Sequence, residues 1–99
     1  MQPQQNTMAD PPFLSILIPA LNEQSWIAHS VRAARASLTA SGVAGEVIVC
    51  DGGSGDETPV RARRAGADRV VHTRSGRPHQ LNRGAEEASG EVLAIVHAD

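Results

Sequence analysis

The chain has 99 residues, of which 40% are hydrophobic and 20% charged, with a formal net charge of -2. That length supports one small core, and the near-balanced charge gives no basis for a nucleic-acid partner. There is no signal peptide, membrane-spanning run or repeat, and the lone cysteine, Cys50, excludes an internal disulfide, so the sequence reads as a soluble cytosolic protein with a buried, reduced thiol.

Residues 1 to 12 are rich in Gln and Pro, lack apolar periodicity, and are expected to be a disordered tail. Residues 13 to 99 follow a β-α-β-α-β-α-β pattern. Phe13 to Ile18 reads as a buried strand, and Ile27, Val31, Ala34 and Leu38 then fall at helical spacing up to a stop at Gly42. Glu46 to Cys50 is the second strand. Thr58 followed by Pro59 has the form of an N-cap with proline at the first helical position, and Gly66 closes that helix. Arg69 to His72 is a short third strand. Pro78 opens a helix with Leu81, Ala85 and Ala88 on one face, Gly90 ends it, and Glu91 to Val96 is a fourth strand. Strands alternating with helices of this length predict a parallel sheet, because a parallel connection needs a crossover. The chain stops at Asp99, directly after its most apolar strand, so it is expected to be the first half of a larger domain.

The strand ends carry the chemistry. Asp51-Gly52-Gly53-Ser54 lies at a strand-to-helix turn, where open α/β sheets bind nucleotides. The turn after the first strand, Pro19-Ala20-Leu21-Asn22-Glu23, has no glycine, which excludes a dinucleotide fingerprint and a Walker loop. Asp56 stands where a nucleophile elbow needs its second glycine, so Ser54 is not a hydrolase nucleophile. Thr73-Arg74-Ser75-Gly76-Arg77 brings two guanidinium groups to the same sheet edge, an arrangement suited to diphosphate. In His97-Ala98-Asp99, side chains two apart on a strand share a face. One carboxylate plus an optional imidazole suits magnesium or manganese completed by phosphate oxygens and water; the competing reading is a helix cap and a core histidine. Asn22 and Glu23 fit a cap on the first helix as well as they fit ligand contact. Asp56 and Thr58 read as caps, Trp26 as a packing residue with stacking on a base as the alternative, and His29, His72 and His79 as surface or core histidines. Asn82 is expected to support the Arg77 loop through its amide.

Taken together, Ser15 to Glu23, Val47 to Asp56, Gly76-Arg77 with Gln80 to Ala85, and Gly90 to Leu93 ahead of His97-Ala98-Asp99 closely resemble the N-terminal half of family-two glycosyltransferases of the GT-A fold. The pairing of Asp-Gly-Gly-Ser with His-Ala-Asp resembles one bacterial subgroup. The resemblance implies a three-layer α/β domain with an open parallel sheet in strand order 3-2-1-4, truncated here after the fourth strand. It implies transfer of a sugar from a nucleotide-diphosphate donor to an acceptor hydroxyl with Mg2+ or Mn2+. By position, Pro19, Leu21 and Glu23 line the nucleotide pocket, Asp51 reads base or ribose, Arg77 lies near base and diphosphate, and Asp99 is the metal-binding end of the Asp-x-Asp motif, with His97 as an optional second ligand. Two departures stand out. Gly52 replaces a second Asp that contacts uracil in many members, and His97 replaces the first Asp of Asp-x-Asp. The general base is expected beyond Asp99, so the chain alone is expected to be inactive, and a membrane-associated parent with a lipid-linked acceptor is compatible with the resemblance. The alternatives are a nucleotide-sugar-binding module without turnover and a nucleotidyltransferase. The latter needs a glycine-rich basic loop after the first strand, which is missing.

Overall fold

The computed structural model describes residues 12–97; the predicted tail, apart from Pro12, and the predicted metal ligand Asp99 lie outside the described residues. The elements run β1 (Leu14–Ala20), α1 (Ile27–Ser41), β2 (Gly45–Asp51), α2 (Thr58–Ala65), β3 (Arg69–His72), α3 (Arg77–Glu87) and β4 (Val92–Ile95). All strand pairings are parallel, in the order β3-β2-β1-β4. β1 and β2 pair over seven residues, Leu14 with Gly45 through Ala20 with Asp51. Both strands are nearly continuous apolar runs, as strands covered on both faces must be.

Alternation along the strands divides the core in two. Ile16, Ile18, Val47 and Val49 face Ile27, Val31, Ala34 and Leu38 of α1 and Ala62 of α2. Leu17, Ile48 and Cys50 face the other way with Val71, under Leu81 and Ala88 from the α3 side. The result is the three-layer arrangement, with α1 and α2 on one face and α3 on the other. Each fully buried aliphatic side chain of this kind contributes roughly 1.5–3 kcal/mol.

Glycine stops α1 and α2 as expected: Gly42 and Gly66 both take left-handed backbone, with φ of 69° and 109°. Two other signals are corrected. Thr58 is the first residue of α2, preceded by Glu57 as its cap residue, and not the N-cap itself. Gly90 does not end α3, which closes at Ala88 in extended backbone. Gly90 is instead a close-approach site: a Cβ there would lie 2.6 Å from Ser15 N. Its N–H donates to Ser15 Oγ (2.8 Å), and Ser15 Oγ in turn donates to the buried Glu46 carboxylate (2.7 Å), which also accepts from Ser89 N (2.7 Å). This polar knot fixes the start of β4 beside β1 at the amino end of the sheet. β1 also begins and ends later than predicted, because Pro19 and Ala20 continue the pairing with β2.

Candidate functional site at the carboxyl edge of the sheet

In a parallel sheet all strands end on one edge, and here that edge gathers Leu21 to Trp26, Gly52 to Glu57, Thr73 to Gly76, and His97 just beyond β4. The first two loops are tied to each other. Asn22 takes left-handed backbone (φ 53°), its N–H donates to Ser54 Oγ (2.9 Å), and its carbonyl Oδ1 accepts from Gly55 N (2.8 Å). Glu23 N donates to Thr58 Oγ1 (2.9 Å), Gln24 N to Asp56 Oδ2 (3.4 Å), and Glu57 N to Gln24 Oε1 (3.1 Å). Asn22 is therefore a loop tie rather than a helix cap. The Thr58 hydroxyl donates to Asp56, which also accepts Thr58 N (2.9 Å). That hydroxyl, ahead of the backbone donors, holds the Asp56 carboxyl below the ordinary carboxylate range.

Asp51 ends β2 and is only 2% exposed. Its carboxylate accepts from Gly53 N and Ser54 N (3.1 Å each) and from Ser54 Oγ, which arrests the Gly-Gly-Ser turn. Gly53 sits at φ 96°, a conformation that favours glycine. His72, paired with Asp51 in the β2–β3 register, places Nδ1 3.3 Å from Asp51 Oδ2. Its Nε2 lies 3.5 Å from Arg63 Nη2. His72 is thus a partner of the site, which its position at the end of a strand adjoining β2 was a signal for.

Of the other predicted residues, Leu21 stands exposed at the lip, Glu23 is half-buried, and Pro19 is buried within β1 opposite Cys50. Arg77 opens α3, and its Nη1 lies 2.9 Å from His97 Nδ1, so two residues singled out in separate motifs meet. Arg74 is exposed and unpaired among the described residues. The amide that fastens the start of α3 is not Asn82, which is exposed without a hydrogen bond among the described residues, but Gln80. Its Nε2 donates to the carbonyls of Ala20 and Cys50 (3.0 Å each), closing the ends of β1 and β2 from above. Gln80 also fills the space over Gly52, where a Cβ would lie 2.9 Å from the amide carbon. Cys50 is buried beneath, and burial pushes its thiol up to about 11, so it is no nucleophile.

A groove of about 460 Å3 lies beside this polar edge, between α1 and β4, lined among others by Ile16, Trp26, Ala34, Ala94 and Val96, with His97 at its end. Its lining is apolar and suits packing rather than phosphate. Among the described residues no three His, Cys, Asp or Glu side chains cluster as a metal cage. An ion held by one carboxylate and diphosphate oxygens needs no such cage, and the carboxylate expected to hold it, Asp99, lies outside the described residues. No helix among the described residues is long and apolar enough to cross a membrane.

The family model of glycosyl transferase family 2 matches residues 15–99. The chain belongs to this family. The family-2 chain is 34% identical over 94 residues to glucosyl-3-phosphoglycerate synthase of Mycolicibacterium smegmatis, covering 87% of this chain and 30% of that protein. It is 37% identical over 94 residues to glycosyltransferase AglD of Haloferax volcanii, covering 87% of this chain and 15% of the relative. Among solved structures, glucosyl-3-phosphoglycerate synthase from Mycobacterium tuberculosis in complex with Mn2+, uridine diphosphate and glucosyl-3-phosphoglycerate superposes with a TM-score of 0.74 at 33% identity, covering 89% of this chain and 34% of that one. The same enzyme with Mg2+ and uridine diphosphate gives 0.73 at 33% identity, with the same coverage. The family-2 chain thus has the GT-A architecture, and it spans about a third or less of the length of the relatives it matches.

Proposed function

We propose that this chain binds the nucleotide-diphosphate sugar in a family-2 glycosyltransferase that passes the sugar to an acceptor hydroxyl with a divalent ion. The observation that carries the reading is the convergence of the β1 and β2 loops, the start of α3 and the end of β4 on one edge of a parallel sheet, in a fold whose relatives are solved with uridine diphosphate and Mn2+ or Mg2+. In this reading Pro19, Leu21 and Glu23 shape the nucleotide pocket, and Asp51 sets the loop against which base or ribose rests. Arg77 offers its guanidinium to the diphosphate, and Asp99 holds the ion. Bound there, Mg2+ or Mn2+ would offset the charge of the leaving diphosphate. The His-Ala-Asp and Asp-Gly-Gly-Ser pairing belongs to this proposal as a subgroup signature, and a cytoplasmic location goes with the nucleotide-sugar donor.

Calorimetry with uridine diphosphate tests the reading. Affinity is expected to be at least about tenfold higher with Mn2+ than with chelator, because the ion supplies charge that one guanidinium cannot. Asp99→Ala should erase that difference. Equal affinity with and without the ion removes the metal from the proposal, and no binding in either condition removes the donor.

A further inference from the structure

The contact between Arg77 and His97 decides how each can act. A guanidinium has only donors to offer, so at 2.9 Å the Nδ1 of His97 is the acceptor, and its lone pair is committed. A neutral imidazole accepting at Nδ1 carries its proton on Nε2. Neither nitrogen then presents a lone pair to a cation. The adjacent guanidinium also repels a divalent ion.

Four of the other arginines, Arg35, Arg61, Arg69 and Arg83, are each paired with a carboxylate, of Asp68, Glu57, Glu46 or Glu87, and Glu86 or Glu87, whereas Arg32, Arg63, Arg64 and Arg74 have no carboxylate partner among the described residues. Arg77 has no carboxylate partner among the described residues, and its one hydrogen bond there is to His97. A neutral acceptor orients a guanidinium without cancelling its charge, whereas a carboxylate does both. The root of the side chain is fixed as well, because Gln80, 5% exposed, fastens the first turn of α3 to the ends of β1 and β2. Arg77 is thus held at its backbone by α3 and at its tip by His97, just beyond β4, and its remaining donors meet no acceptor among the described residues.

We propose that His97 is a positioning residue that aims Arg77, which has no carboxylate partner among the described residues, at the donor diphosphate, and is not a ligand of the metal ion. The inference rests on the nucleotide-sugar reading above. It also gives the His in His-Ala-Asp a physical purpose: an Asp at position 97 would form an ion pair with Arg77 and use up the charge the diphosphate needs.

Two measurements on the purified protein separate positioning from ligation. One is uridine diphosphate affinity in chelator, by calorimetry; the other is Mn2+ affinity of the protein saturated with uridine diphosphate, from the electron paramagnetic resonance of free Mn2+. His97→Gln keeps a neutral acceptor and should hold metal-free affinity within about twofold, whereas His97→Ala and His97→Asp should lower it about fivefold or more. In an Arg77→Ala background, His97→Ala should add no further loss. Mn2+ affinity should stay within about twofold in His97→Gln and His97→Ala. A fall in Mn2+ affinity beyond about tenfold in both, with metal-free binding intact, makes His97 a ligand and overturns the proposal. If the unaltered protein binds no uridine diphosphate in either condition, the donor reading fails and takes this inference with it.

Discussion

At Gly84 a hydrogen stands where any other residue would put a carbon. A Cβ there would lie 2.4 Å from Cys50 Sγ and 3.3 Å from both methyl groups of Leu17, so α3 sits on the sheet only because this position is bare. Gly84→Ala is expected to destabilise the protein by about 1–3 kcal/mol in urea denaturation, as overpacking does. Adding Cys50→Ala should restore a good part of that loss, and additive losses would place the cost elsewhere. The residue scale is also where the sequence is hardest to read. Asn82 and Gln80 are both amides on the same helix, but two residues apart is about 200° around the axis, so only one meets the sheet. The phase of α3 decides it, and α3 starts at Arg77, one residue before the Pro78 that the sequence pattern marks as its opening. His72 is equally hard to read from sequence, since its partner Asp51 is 21 positions away and becomes a neighbour only through strand register.

Elements fared better, because helix and strand periods and helix-stopping glycines are local signals: β3 lies where the pattern puts it, and α1 and α2 stop at Gly42 and Gly66. Thr58 and Gly90 misled because each carries a common local meaning that a distant contact overrides, with Glu23 and Ser15 respectively. The tie between the β1 and β2 loops has a pH signature. Asp56 has its folded-state carboxyl held below 3.8 by the Thr58 hydroxyl and backbone donors. A carboxyl depressed in the folded state contributes stability above its unfolded value, and that contribution is lost as pH falls through the folded value. The stability difference between wild type and Asp56→Asn should therefore be constant at neutral pH and shrink below about pH 4. A difference that grew on acidification would mean that Asp56 is not the depressed group.

For the whole molecule, periodicity yields a parallel sheet but not the order of its strands; that order, and the pairing of β4 with β1, came from the likeness to a known family. β4 is where the described sheet is least covered. Val92, Leu93, Ile95 and Val96 are all exposed, Ile95 by 52%, and beyond β4 no strand pairs with it among the described residues. Trp26, 56% exposed, rims the adjoining groove. An open apolar edge strand is a template for further pairing. Residues 1–99 produced alone are expected to self-associate in size-exclusion chromatography, and charged replacements such as Leu93→Lys and Ile95→Lys should shift the elution toward monomer. A sharp monomer peak for the unaltered chain would show that this edge is quiet.

The mutual bonding of the β1 and β2 loops also bears on how this edge can be rebuilt. Backbone N–H groups of Asn22 and Glu23 find their acceptors on Ser54 and Thr58, while those of Gly55 and Glu57 find theirs on Asn22 and Gln24. A chimera that imports one loop from a relative strands donors on both sides, whereas importing both together carries the acceptors along. Exchanging residues 21–58 as one block is therefore expected to keep the loop ties that a single-loop exchange breaks.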